Sequence, residues 1–220
     1  MFSIPAVQTS VAHKVTERIN NDFNTNINVE RISISYNGDV VIEEVYIEDH
    51  HQDTLISAKQ LSTSLIDVPA ILSGQHLDFG DLEAEQLKLR MKLYKGETKD
   101  NLSFFGEKFD NGQPSQSPFV LTIDHIIAIN SEVSYEDENL EDEDVFSFKD
   151  LNINASNLVV DGPNVSVNIE SMKAEESRGI KIDHLSTDFR YTKESMLFDD
   201  FQLQTPYSDI TSDIRFDYEI

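Results

Sequence analysis

The chain has 220 residues, 39% of them hydrophobic, which is enough for one sizeable core or one extended sheet. Its 17 basic residues stand against 41 acidic ones, for a formal charge of -24. That balance excludes a phosphate-backbone binder, which needs clustered Lys and Arg, and it disfavours anionic lipid surfaces by the same rule of sign.

Cysteine is absent, which removes disulfides, thiolate metal sites and a cysteine nucleophile and leaves the compartment open. No apolar run approaches the ~20 residues that span a bilayer, and Met1 to Pro5 is too short and uncharged for a signal peptide. Pro5 suits a first helical turn. Val7, Val11, Val15, Ile19 and Phe23 recur at helical spacing, with Lys14, Glu17, Arg18 and Asp22 on the other side. An amphipathic helix is therefore predicted over residues 5–23. Residues 1–25 are read as a capping helix and 26–220 as a β segment.

From Ile27 the period becomes two. Ile32, Ile34 and Tyr36 alternate with serines, and Asn37-Gly38 is a hairpin signal before a partner strand from Val40 to Ile47. Leu61, Thr63 and Leu65 continue the alternation, and Asp67 to Gly74 reads as a helical turn or crossover. Leu87, Leu89, Met91 and Leu93 alternate with Lys88, Arg90 and Lys92, the pattern of a sheet with one wet face. Residues 97–117 read as a polar loop around Leu102, Phe104 and Phe105. Phe119, Leu121, Ile123, Ile127 and Ile129 resume the alternation, followed by an acidic loop over 136–144. Short strands follow around Phe148, Ile153, Val159, Val167, Ile182, Phe189, Leu203 and Phe216. Three acid-apolar pairs, Asp81-Leu82, Asp150-Leu151 and Asp200-Phe201, read as strand starts.

Candidate chemistry is sparse. His50 and His51 lie among acids, but adjacent residues on a strand point to opposite faces, so no converging metal ligands are expected there and the stretch reads as a solvated turn. The 136–144 run lacks the Gly and the oxygen spacing of an EF-hand loop and reads as solvated charge rather than a Ca²⁺ site. No nucleophile elbow, HExxH or phosphate-cradling loop is present, and with 41 acids a pair of carboxylates carries no information. Sequons at Asn101, Asn154 and Asn164 matter only in a secreted eukaryotic chain. No catalytic residue, metal or cofactor is expected. The alternating apolar rows remain. They fit either the interior of a β-sandwich or an open groove, and periodicity does not separate the two.

The run Ser3 to Thr9, followed by a helix and Asn26-Ile27-Asn28-Val29, resembles the start of the soluble part of TamB proteins. These are the translocation and assembly module subunits of the diderm bacterial envelope. Val45 to Ile56, with its Glu48-Asp49-His50-His51-Gln52-Asp53 centre, is the most specific match, resembling a motif of one branch of that family. Pro69 to Gly74 is also similar, and Gly96 with Asp100-Asn101-Leu102 follows the wider AsmA-like group. The likeness weakens through Phe148 to Ile153 and Asp183 to Thr187. It implies a long protein with one inner-membrane anchor and a rolled, elongated β-sheet with an apolar concave lining in the periplasm (a β-taco, of the repeating β-groove type). It implies roles in outer-membrane protein assembly and in phospholipid transport between membranes. The implied partners are phospholipid acyl chains, an outer-membrane assembly partner reached through a C-terminal part, and the inner membrane reached through an anchor ahead of Phe2. No nucleic acid is among them. The chain is accordingly expected to be an N-terminal fragment of a longer protein, or a short relative.

The expected architecture is mainly β: an elongated, twisted antiparallel sheet curling into an open groove, with the helix capping its end. A closed immunoglobulin-like sandwich is the rival. By parity the expected lining is Ile32, Ile34, Leu87, Leu89, Met91, Leu93, Phe119, Leu121, Ile123, Ile127, Ile129, Val165, Val167 and Ile169. The expected function is non-catalytic handling of lipid or outer-membrane protein. The alternative is an adhesin-like or carbohydrate-binding periplasmic or extracellular β domain.

Overall fold

The computed structural model describes residues 14, 16–35, 39–65, 76–108, 120–140, 145–161 and 164–218. Residues 16–23 are helical (α1), and Asn24 ends the helix in the left-handed conformation with φ 52. The Asn20 side chain then does what a neighbouring strand would do. It accepts from Ile27 N at 2.8 Å and donates to Ile27 O at 2.9 Å, hooking the helix to the first strand.

Among the described residues, all eleven strands belong to one hydrogen-bonded sheet rather than to the two sheets of a sandwich. They are β1 (Asn26–Ile34), β2 (Asp39–Glu48), β3 (Thr54–Leu65), β4 (His76–Glu85), β5 (Lys88–Leu93), β6 (Val120–Asp137), β7 (Phe146–Asp161), β8 (Asn164–Glu176), β9 (Lys181–Tyr191), β10 (Ser195–Thr205) and β11 (Ser208–Asp217). Neighbours follow chain order from β1 to β4 and from β6 to β11, as a meander of antiparallel pairs. Ile34 pairs with Val40; the expected Asn37-Gly38 hairpin turn and the expected turn or crossover at 67–74 lie outside the described residues.

The sheet is mainly antiparallel, as expected, with parallel pairing at one place. β4 and β5 run on in one direction, both antiparallel to β3 and both parallel to β6. A parallel neighbour cannot be reached by a tight turn and needs a long crossover. The stretch between β5 and β6 supplies it, and there the expected loop contains a helix, α2 (Asn101–Glu107). Asp100 is its N-cap, accepting from Ser103 N at 2.8 Å and from the Ser103 hydroxyl at 3.0 Å. The Lys108 ammonium after α2 donates to Asn24 O at 2.7 Å, so α1, α2 and the β2–β3 turn gather at one end of the sheet.

Several strands take an extra residue in the middle. Glu44, Gln86, Asn130 and Asp150 have φ between 50 and 53, a backbone region that non-glycine residues rarely enter. The pairings Glu43 with Gln60, Gln60 with Glu85 and Glu85 with Ile129 align Glu44, Lys59, Gln86 and Asn130 in one line across the sheet. A second line runs through Gly80, Asp124 and Asn157, and Asp200 has φ 50 in β10. Bulges orphan backbone groups, and side chains recover them here. Asn130 N donates to Asn152 Oδ1 at 3.3 Å, Leu87 N to Ser131 Oγ at 3.2 Å, and Asp200 N to Asp213 Oδ1 at 3.0 Å. The acid-apolar pairs at 81, 150 and 200 are thus mid-strand irregularities rather than strand starts, since each falls inside β4, β7 or β10.

Candidate functional site

Directly paired residues on neighbouring strands share a face. One line of such pairs crosses the whole sheet: Ile32, Ile42, Leu61, Ala84, Ala128, Ile153, Met172, Leu185, Leu203 and Ile210. Every member is apolar. Only the two alanines are buried; each larger side chain keeps some solvent exposure, up to 45% at Ile210. A second line lies toward the helical end: Ile27, Ile47, Ile56, Leu89, Val133 and Phe148. Successive members along a strand are separated by odd steps, Ile42 to Ile47 in β2 for example. The extra residue at each bulge makes up the difference and keeps both lines on one face.

The opposite face is polar and stitched by cross-strand pairs. Arg31 meets Glu43 at 2.8 Å, Lys59 meets Glu85 at 2.7 Å, and Lys92 meets Glu136 at 3.6 Å. Asn154 donates to Glu170 at 2.9 Å. Exposed pairs of this kind stabilise little, about 0–1 kcal/mol each, so they mainly keep that face wet.

The expected lining residues distribute as follows. Leu89 pairs with Ile56 and Val133, Met91 with Tyr135, Ile123 with Phe79 and Leu158, and Leu121 with Val160. Val165, Val167 and Ile169 pair with Tyr191, Phe189 and Thr187. Leu93 stands opposite Asp137, and half-buried Leu87 sits at the bulge line. Ile127 and Ile129 are on the other face. Ile127 pairs with Glu83 and Asn154 and is 39% exposed, and Ile129 pairs with Glu85, which Lys59 holds. The physical cause is the extra residue at Asp124, after which Ile126 and Ala128 take the apolar face. Phe119, Val7, Val11 and Val15 lie outside the described residues; Ile19 and Phe23 are half-buried on α1.

A second constellation sits at the helical end. His50 and His51 occupy a turn over 49–53 rather than a strand, so the alternation argument does not govern them and the two rings converge. Their Nε2 atoms lie 2.9 Å and 2.8 Å from the two carboxylate oxygens of Glu97. A carboxylate only accepts, so each Nε2 carries the proton in this arrangement. The His51 ring lies 3.9 Å from that of Tyr94, and His50 lies 4.2 Å from Phe104.

Beneath them Asp49 is buried and fully engaged. Its Oδ1 accepts from His51 N at 2.8 Å and Asp53 N at 3.0 Å. Its Oδ2 accepts from the Tyr94 hydroxyl at 2.7 Å and Asn101 Nδ2 at 2.9 Å. Burial pushes the Asp49 carboxyl up, but the bonds from Asn101, Tyr94 and the two backbone groups outweigh it and hold it below its ordinary value. Burial, with Asp49 and Asp53 alongside, pushes the Tyr94 hydroxyl far above its ordinary value. The His51 hydrogen bond, with that from His50, lowers Glu97 against its own desolvation. Sequence reasoning missed Asp49, Tyr94, Glu97 and Asn101 as a group. The only local signal is Asp-x-x-x-Asp around two histidines, and the partners come from residues 94–101.

No family model and no curated protein matches this sequence. Among the described residues, no helix is long and apolar enough to cross a membrane.

Proposed function

We propose that this chain is a non-catalytic cell-envelope module whose apolar sheet face, curled into an open groove, receives the acyl chains of phospholipids. In this reading it serves lipid transfer between membranes, outer-membrane protein assembly, or both, in the periplasm of a diderm bacterium and tethered to the inner membrane. The observation that carries the proposal is the apolar line from Ile32 to Ile210, whose larger side chains stay partly open to solvent. A sealed core buries such side chains to near completion, because dispersion contacts and water exclusion reward it. An apolar face left partly open across ten strands fits a surface with an apolar occupant. Two lines of bulges support curvature, since bulges increase local twist and bend a sheet. The resemblance of Val45 to Ile56 to a TamB motif supplies the envelope setting.

The energetic requirement is plain. Each exposed methylene costs about 0.8 kcal/mol, so two chains of about sixteen carbons cost roughly 25 kcal/mol to bare together. A continuous apolar strip lowers that cost stepwise while the head group stays in water.

The test uses single cysteines at Leu89, Met91 and Met172, against Arg90 and Ile127, probed with a phospholipid carrying a photo-crosslinker near the chain end. Adducts are expected at the first three sites alone. Ile127 is the sharp control, being apolar but on the polar face. Folded variants that give no adduct at the first three sites, or equal adducts at all five, would falsify the proposal.

A further inference from the structure

We propose that His50, His51 and Glu97 form a binding site for a divalent transition-metal ion of the Zn²⁺ class. This inference stands apart from the lipid-handling reading and survives its failure.

The three potential ligand atoms lie within 4.8 Å of one another. Ligands around a tetrahedral Zn²⁺ sit about 2.0–2.2 Å from the metal and so about 3.3–3.6 Å from one another, a spacing these three groups reach by side-chain shifts of about 1 Å. Two imidazole nitrogens and one carboxylate suit Zn²⁺ and its neighbours in the first transition row, whereas Ca²⁺ and Mg²⁺ demand oxygen ligands.

The ligands are presented by structure rather than by chance collision of long side chains. Asp49 clamps the histidine turn through His51 N and Asp53 N, and Gln52 there adopts φ 70. Glu97 lies in the turn after Tyr94, where Glu97 N donates to Tyr94 O at 3.0 Å and Gly96 has φ 84. The Tyr94 hydroxyl bonds both Asp49 and Asp53, which locks the two turns together. His51 is 44% exposed, leaving an open side for entry and for water in the remaining coordination position.

Binding replaces the two hydrogen bonds by three metal bonds, one from each imidazole and one from the carboxylate. Each imidazole must present Nε2 as a free lone pair, with its remaining proton on Nδ1. His50 Nδ1 is buried and has no hydrogen-bond partner. A ligating histidine ordinarily donates its second N–H to an acceptor, and loss of such a partner lowers metal affinity about 10–100-fold. The site is therefore expected to bind on the order of micromolar, well short of a closed structural zinc site.

The experiment is calorimetric titration of the tag-free full chain with ZnCl₂ at neutral pH, alongside His51→Ala, Glu97→Gln and, as a control, His125→Ala. His125 lies beside Asp81, away from this cluster. One saturable site is expected in the wild type and in His125→Ala, with at least a tenfold loss of affinity in His51→Ala and Glu97→Gln. Nitrogen NMR of the wild type guards against a variant that fails to fold: zinc should switch the His50 and His51 tautomers and leave His125 and His184 unmoved. Absence of saturable binding at 100 μM zinc (about a hundredfold above a micromolar site) overturns the proposal. So does wild-type affinity in both cluster variants, which would place the ion on the general acidic surface.

Discussion

Asp49→Ala is the most informative single change. The carboxylate is 5% exposed and takes four hydrogen bonds, two on each oxygen. Two of the four donors keep a second partner after truncation. The Tyr94 hydroxyl still reaches Asp53 at 2.9 Å, and Asn101 Nδ2 still reaches Arg90 O at 3.1 Å. The backbone N–H groups of His51 and Asp53 lose theirs. Orphaning each costs about 1–3 kcal/mol, and loss of the charge-assisted bonds to the other two adds about 1 kcal/mol, for a total of ~3–7 kcal/mol. Asp49→Asn retains an acceptor for the turn but aims an NH₂ at two donors, and about 2–3 kcal/mol is expected.

Urea unfolding measures this directly, as a drop in midpoint at unchanged slope. The pH dependence gives a second reading. The folded Asp49 carboxyl titrates below its unfolded counterpart, so its contribution is complete above about pH 4 and fades as pH falls through the folded value. The gap between wild type and Asp49→Ala should be full at pH 7 and narrow below about pH 4. A loss under about 1 kcal/mol at pH 7, or a gap that does not narrow in acid, would refute the assigned network.

Three further outcomes are expected. Asn130→Val, which forces a β-branched residue into φ 51, should cost about 1–2 kcal/mol, while Asn130→Gly should stay within about 0.5 kcal/mol; a reversed order in thermal unfolding would remove the bulge line. Asp100→Ala should cost about 1 kcal/mol through the lost cap of α2 and should raise hydrogen exchange at Ser103 N. Ile126→Lys should destabilise by more than about 1 kcal/mol through an unpaired charge on the apolar face, and Ile127→Lys by less than about 0.5 kcal/mol; equal effects in chemical denaturation would contradict the register.

The strand content was legible because alternation is local. Leu89 and Met91 with Lys88 and Arg90 between them announce both the strand and its two faces, and Lys88 indeed pairs with Glu132 on the polar side. The antiparallel pairing of β1 with β2 is legible for the same reason, since a hairpin signal is set by two residues. The parallel placement of β5 beside β6 was not, because it depends on a crossover whose only sign is the Asp100-x-x-Ser103 cap inside a polar stretch. The histidine cluster was obscured because strand alternation was applied to His50 and His51. A turn with Gln52 at φ 70 changes which way both rings point, and Glu97 arrives from 46 residues along the chain from His51.

The misplacement of Ile127 and Ile129 has a more general cause. A strict period of two carries a side chain faithfully for as long as the strand is regular, and a single inserted residue flips every position beyond it. In an isolated hairpin such an insertion breaks the register. Here the insertions at Glu44, Gln86 and Asn130 fall in line, and those at Gly80, Asp124 and Asn157 fall in line again. Neighbouring strands therefore flip together. β4 and β6 stay in constant register from His76 with Val120 to Glu85 with Ile129, even though both change phase on the way. Cross-strand pairing is preserved, the backbone groups left over are taken up by Ser131, Asn152 and Asp213, and the apolar residues stay contiguous. The odd steps that look like broken alternation in the sequence are what keep Ile42 with Ile47, and Ile123 with Ala128, on one face of the sheet.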